Sequence, residues 1–293
     1  MIAPIKNRLQ NILLADDGSP NMRPAIQLLS SLPHEQGCVI TALRVFTPME
    51  GSEFSRVEKE AEKTRNLLKS RHFHFKSELV QGYASDLIPK FAEEQQPDLI
   101  VMGGKAVGSF GGLLGNVAAD VLHQSRQPVL IVREPFNGLK RVLLVTDGSP
   151  ASRTTCEYLS AFPLPAETEV VIMHVVIPVK TSYPIEPAGL AVPLISPEEE
   201  HRLNEENMRR GREFLERAQV ELEMPNPVIL LLRSGDPFEE ILKAIKTENI
   251  DMLVCGSRGS GNLAGWLMGS ISRELVRQAT CSVLVVRTLP VNE

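Results

Sequence analysis

Aromatic residues are few, 5% of 293 positions with one tryptophan and three tyrosines, so the cores must be assembled from Val, Ile, Leu and Ala, which suit α/β layers. Cysteine is scarce as well. Cys38, Cys156, Cys255 and Cys281 form no CxxC pair and have no His-flanked spacing, which argues against a structural zinc site; they are expected as buried thiols. No apolar stretch approaches the roughly 18 residues of a spanning helix, and the opening MIAPIKNRLQ lacks the apolar segment of a signal peptide. A cytoplasmic chain with no membrane association is therefore expected. The net charge of -5 includes no long basic block, so non-specific attraction to nucleic acid or to an anionic bilayer is not expected either.

Familiar catalytic patterns are also missing. There is no GxxxxGK[ST] segment, which removes a Walker-type lysine cradle, and no Ser/His/Asp order worth defending. His72 and His74 in RHFHF would share one face of a strand but find no third metal ligand nearby. His174 lies inside the apolar run VVIMHVV and is expected to be partly buried and hydrogen-bonded rather than a base. No catalytic residue and no metal site are assigned.

What the chain does contain is itself, twice. Asn11 to Pro20 (NILLADDGSP) and Arg141 to Pro150 (RVLLVTDGSP) are the same strand and turn. Ser19 and Ser149 suit helix N-caps, with Pro20 and Pro150 at the first helical position. Further landmarks recur in order. Val39 to Phe46 (VITALRVF) matches Val170 to Ile177 (VVIMHVVI), and Leu79 to Ile88 matches Leu232 to Ile241. Asp98 to Gly103 (DLIVMG) then matches Asp251 to Gly256 (DMLVCG). Each copy closes on a short apolar strand, Pro128 to Val132 and Ser282 to Val286.

Five strands alternating with helix-length segments imply a parallel sheet with right-handed crossovers in each copy. At roughly 150 residues per domain the length suggests two, divided near Asn137-Gly138 into 1–137 and 138–293. Pairing the two closing strands would protect both free edges and join the halves. Copy two also carries an insertion, Pro178 to Pro197, read as a surface loop that ends in a capping box of Ser196 and Glu199.

The chemistry concentrates between Gly256 and Ser270 (GSRGSGNLAGWLMGS), between a buried strand and a segment with Ile271, Leu275 and Val276 at helical spacing. Gly256 and Gly259 would permit positive φ or close backbone approach, while Gly269 and Ser270 would offer amides and a hydroxyl to an anion at a helix N-terminus. A tight turn with a flexible tip is the plainer alternative. The single Trp266, with Leu263, Leu267 and Met268, is expected to anchor this loop by packing. Asp147 ends the first strand of copy two beside the crevice of a doubly wound sheet, where it could accept from ribose or adenine or simply support the Gly148-Ser149 turn.

These residues resemble the universal stress protein family, specifically its tandem two-domain members, over essentially the whole chain. The family's signature Gly-x2-Gly-x9-Gly-[Ser/Thr] is met by Gly256, Gly259, Gly269 and Ser270. The resemblance implies two tandem α/β domains, each a five-stranded parallel sheet of order 3-2-1-4-5 with helices on both faces. It also implies ATP as cofactor, optionally with magnesium, in the second domain. Asp147 would then contact the adenosine, the backbone around Val175 would read the adenine, and the loop from Gly256 to Ser270 with Ile271 would wrap the phosphates. A charge contact from Arg258 is inferred beside that signature.

Copy one keeps Gly103 and Asp17, but Ala106 and Asn116 stand where the second glycine and the Ser/Thr belong, and its loop is one residue shorter. It is therefore expected to be a degenerate, mainly structural domain. The implied role is an ATP-binding stress-response module that acts on an unknown protein partner, as a homodimer or other homo-oligomer. A slow ATPase or phosphotransfer enzyme is one rival; a nucleotide-independent interaction protein is the other.

Overall fold

A computed structural model describes residues 9–19, 21–33, 37–47, 58–59, 61–64, 66, 74–104, 115–180, 182–185, 190–193, 195–257 and 268–287. The first half contributes β1 (Asn11–Ala15), α1 (Met22–Ser31), β2 (Val39–Phe46), β3 (His74–Gln81), α2 (Ala84–Gln95), β4 (Leu99–Gly104), α3 (Asn116–Gln124) and β5 (Val129–Arg133). The second contributes β6 (Arg141–Val145), α4 (Pro150–Ser160), β7 (Glu169–Val176), β8 (Ser182–Ile185), β9 (Leu190–Pro193) and α5 (Pro197–Glu221). It continues with β10 (Val228–Ser234), α6 (Pro237–Thr247), β11 (Met252–Gly256), α7 (Ser270–Gln278) and β12 (Ser282–Val286).

Ten strands form one sheet in the order β10-β7-β6-β11-β12-β5-β4-β1-β2-β3, which is 3-2-1-4-5 in each half. Within this sheet all pairings inside a half are parallel, and the two closing strands meet antiparallel at the centre. Leu284 lies opposite Leu130, with Val285 opposite Val129 and Val283 opposite Ile131, so equivalent strands face each other about a pseudo-twofold axis. Neither half leaves its fifth strand as an open edge.

Handedness fixes which face each helix covers. Crossovers running outward (α1, α4 and α5) lie on one face, and those returning through the centre (α2, α3, α6 and α7) lie on the other, as right-handed connections require. Each face packs a single apolar cluster that continues across the seam. Strands buried on both faces read as unbroken apolar runs, which explains VVIMHVV in β7. The four cysteines are all buried, and burial pushes the thiol pKa up to about 11 for Cys38 and about 12 for Cys156, Cys255 and Cys281. Among the described residues no group of three His, Cys, Asp or Glu could hold a metal ion, and no helix is long and apolar enough to cross a membrane.

Three sequence expectations change here. The pairing β1 with β2 sets Asn11 beside Val39, and β6 with β7 sets Arg141 beside Glu169, so Val39–Phe46 is equivalent to Glu169–Val176. The correspondence read from the sequence was one residue out of phase. The insertion is more than a loop, since β8 and β9 pair as an antiparallel ribbon. The caps also differ between the copies.

Ser149 caps α4 by accepting from the Ser152 amide at 3.2 Å, as expected, and Ser196 accepts likewise from Glu199 at the start of α5. Ser19 caps nothing: α1 begins later, after Asn21, without a side-chain cap. Ser149→Ala is accordingly expected to lower stability by about 1 kcal/mol while Ser19→Ala changes it little, a difference that urea unfolding of the two variants would measure.

Candidate functional site

In a doubly wound sheet the crevice opens beyond the carboxyl ends of the strands where the strand order reverses. In the second half that point lies between β6 and β11, and a cavity of about 560 Å³ occupies it. It has three walls. The strand ends supply Val145, Thr146, Asp147 and Val175; the start of α7 supplies Gly269, Ser270 and Ile271; α5 supplies Asn207, Arg210 and Phe214.

Asp147 serves two ends at once. Its Oδ1 accepts from the Ser149 amide at 3.0 Å, holding the turn, while the residue lines the cavity half-exposed. The turn itself needs glycine, because Gly148 has φ +74° and a Cβ there would stand 2.8 Å from the Phe214 ring. Beside it, β6 ends at Val145 while β7 runs on to Val176. The Thr146 amide donates to the Met173 carbonyl, whereas the Gly235 amide on the opposite side donates to that of Val176. Alternation along a strand then turns the N–H and C=O of Val175 toward the space that β6 has vacated. That main-chain edge faces the cavity.

Helix α7 points its N-terminus into the same space. Gly269 is its N-cap residue, extended at φ -60° and ψ 154°, with no side-chain cap. Its amide is already committed, donating to the Ser257 carbonyl at 2.8 Å, so Ser270 and Ile271 rather than Gly269 carry the outward amides of the first turn. Ile271 is 42% exposed and lines the cavity, while Leu275 and Val276 anchor the helix in the core. Gly256 ends β11 without positive φ, leaving close approach as its role, and its carbonyl accepts from Ser272 Oγ at 2.8 Å. Arg258 and Gly259 lie outside the described residues, as do Leu263, Trp266 and Leu267; Met268 is buried.

The sequence reading missed the third wall. Gly211 in the middle of α5 is buried, and a Cβ there would meet Leu232 and Val176 at 2.9 Å, so only glycine lets this charged helix press onto the sheet. Asn207, Arg210 and Phe214 then fall on the side of the cavity at helical spacing around that glycine. A lone glycine in a long charged helix was the available signal. His174 is half-buried as expected: its Nδ1–H donates to the Thr146 carbonyl at 2.8 Å, and its ring stands edge-on to Phe214 at 5.4 Å.

The equivalent crevice of the first half encloses only about 260 Å³. Applying the register, Met22 and Met102 replace Ser152 and Cys255, while Asp16 and Arg44 replace Thr146 and His174. The Met22 sulfur would lie 3.0 Å from a Cβ on Gly103, so thioethers occupy space that is open in the second half. Arg44 forms a buried ion pair with Asp16 at 2.5 Å beneath Gly18. Asn116 opens α3 where Ser270 opens α7, and Ala106 is outside the described residues.

Fold and crevices together define a tandem, doubly wound α/β protein with one ligand-sized opening at each of two switch points, the second about twice the volume of the first. The chain belongs to the universal stress protein family, whose model matches residues 8–133 and again 138–287. It is 28% identical over 197 residues to a universal stress protein of Mycolicibacterium smegmatis, a span covering 64% of this chain and 61% of that relative, under two thirds of its length. A universal stress protein of Methanocaldococcus jannaschii is 29% identical over 154 residues, covering 50% of this chain and 94% of the relative. The crystal structure of a universal stress protein from Archaeoglobus fulgidus has the same fold, with a TM-score of 0.62 and 22% identity over 95% of this chain and 98% of that one.

Proposed function

We propose that the second half, residues 138–293, binds ATP and that the first, residues 1–137, does so weakly or not at all. The observation that carries this is the convergence on one cavity of a carboxylate (Asp147), a main-chain edge (Val175) and the outward amides of a helix start (Ser270 and Ile271). Such a set suits a ligand that is polar and planar at one end and polyanionic at the other. Asp147 takes ribose hydroxyls, Val175 the base, and α7 the phosphates with Ser270 Oγ. Arg258 and Gly259 complete the phosphate loop. Magnesium, where present, is held chiefly by the phosphate oxygens, as is usual for this ion. Nucleotide occupancy then regulates the conformation of the chain or its binding of a protein partner, consistent with a stress-response module in the cytoplasm.

Calorimetric titration of nucleotide-free protein tests this directly. One equivalent of ATP per chain is expected, and Asp147→Ala should weaken binding about tenfold or more, the scale of a lost hydrogen bond to a charged group. Asp147→Asn retains an acceptor for the Ser149 amide and so separates ligand contact from turn support. No heat with ATP would remove the nucleotide reading; two equivalents would remove the degenerate first half.

A further inference from the structure

Helix α7 is held at its two ends by different halves of the chain. Its start faces the larger cavity through Ser270 and Ile271. Near its other end the guanidinium of Arg133, the last residue of β5, donates from Nη2 to the carbonyl of Val276. That carbonyl is among the last four of the helix, which have no partner within it, and a cation there complements the negative end of the helix dipole. The main chain of Arg133 crosses the seam as well, its amide donating to Ser282 Oγ at 3.2 Å.

Arg133 is only 3% exposed. Burying a guanidinium is costly unless its charge and hydrogen bonds are used, and an aliphatic side chain would pack the same strand end more cheaply. The same residue lines the smaller cavity of the first half. Adding the 154-residue offset that relates Leu130 to Leu284 brings Arg133 to Arg287, also buried, so the pseudo-twofold axis repeats the placement.

We propose that Arg133 is a positioning residue for the ligand site of the opposite half: it fixes α7 so that the Ser270 and Ile271 amides meet the phosphate tail. This rests on the ATP reading of the larger cavity. Val276 and Ser270 are six residues apart, about 9 Å along the axis, so a shift at the Arg133 contact is transmitted through less than two turns of rigid helix. Within its own half the nine-residue α7 is tied at its start, by the Gly269 amide and Ser272 Oγ to the carbonyls of Ser257 and Gly256, and packed on one side by Leu275 and Val276; Arg133 adds a tie at the far end from the other half. The first half thereby sets the affinity of a site whose lining, among the described residues, comes from the second half alone.

The experiment compares ATP with adenosine on the full chain, for the wild type, Arg133→Met and Arg133→Lys. Positioning predicts that Arg133→Met weakens ATP binding about tenfold, a typical coupling between linked sites, and leaves adenosine binding unchanged. Arg133→Lys, which keeps a donor, should recover part of the loss. Equal ATP affinity in wild type and a folded Arg133→Met would overturn the proposal, and so would equal losses for ATP and adenosine, which mark a general structural role. Should Arg133→Met fail to fold, Arg133→Lys decides: an ATP-selective loss supports positioning, and none overturns it. A wild type that binds neither ligand sinks the underlying ATP reading, and this proposal with it.

Discussion

Ser270→Pro is expected to yield a folded protein whose ATP affinity has fallen about a hundredfold, as the loss of two hydrogen bonds to a charged group implies. Proline suits the first position of a helix because the amide it removes has no partner inside the helix. In this half α4, α5 and α6 already begin with proline at that position, at Pro150, Pro197 and Pro237. The preceding residue must be extended, and Gly269 is, at ψ 154°. The substitution therefore subtracts one amide and one hydroxyl from the proposed phosphate cradle while leaving α7 intact. Ser270→Ala, which removes only the hydroxyl, should cost about tenfold. Titration of both variants, with circular dichroism to confirm the fold, separates main-chain from side-chain recognition. ATP binding by Ser270→Pro at wild-type strength would show that the helix start does not hold the phosphates.

The features legible in the sequence were those written locally. The Asp-Gly-Ser-Pro turn announced the end of a first strand twice, and its cap at Ser149 is there. The closing strands announced themselves as edges in need of partners, and they pair. Phase was harder to read. VVIMHVVI is apolar but for His174, and setting that residue against Arg44 of VITALRVF gives the observed phase; the apolar residues alone look the same after a one-residue slip. The neighbouring strand fixes the same phase, by setting Arg141 beside Glu169.

The third wall of the cavity escaped for a related reason. Asn207, Arg210 and Phe214 look like ordinary members of a charged helix until Gly211 is seen against Leu232 and Val176, contacts made by residues distant in sequence. The turn before Ser19 is held as in the second half, Asp16 accepting from the Gly18 amide as Thr146 does from that of Gly148, and the cap is lost beyond it, where α1 begins at Met22 after Asn21.

Leu284→Asp should be far more damaging than any change within the cavities. Leu284 and Leu130 are fully buried and lie opposite each other where the two halves join, so a carboxylate there has neither water nor a partner. Leu284→Ala alone is expected to cost about 2–5 kcal/mol, and the charge adds several more. Loss of the seam would expose β5 and β12 as apolar edges, so the variant should also associate as its concentration rises. Leu230 offers the internal comparison, being a leucine on the outer strand β10 that is 37% exposed; Leu230→Asp should shift stability far less. Urea unfolding followed at two protein concentrations would check both expectations. The seam also carries the contact from Arg133 to α7, so any folded remnant of Leu284→Asp should bind ATP more weakly than adenosine binding alone would suggest. A stable, monomeric Leu284→Asp with wild-type affinity would mean that the two halves fold and bind independently, and the joined sheet would then be a matter of proximity rather than of cooperation.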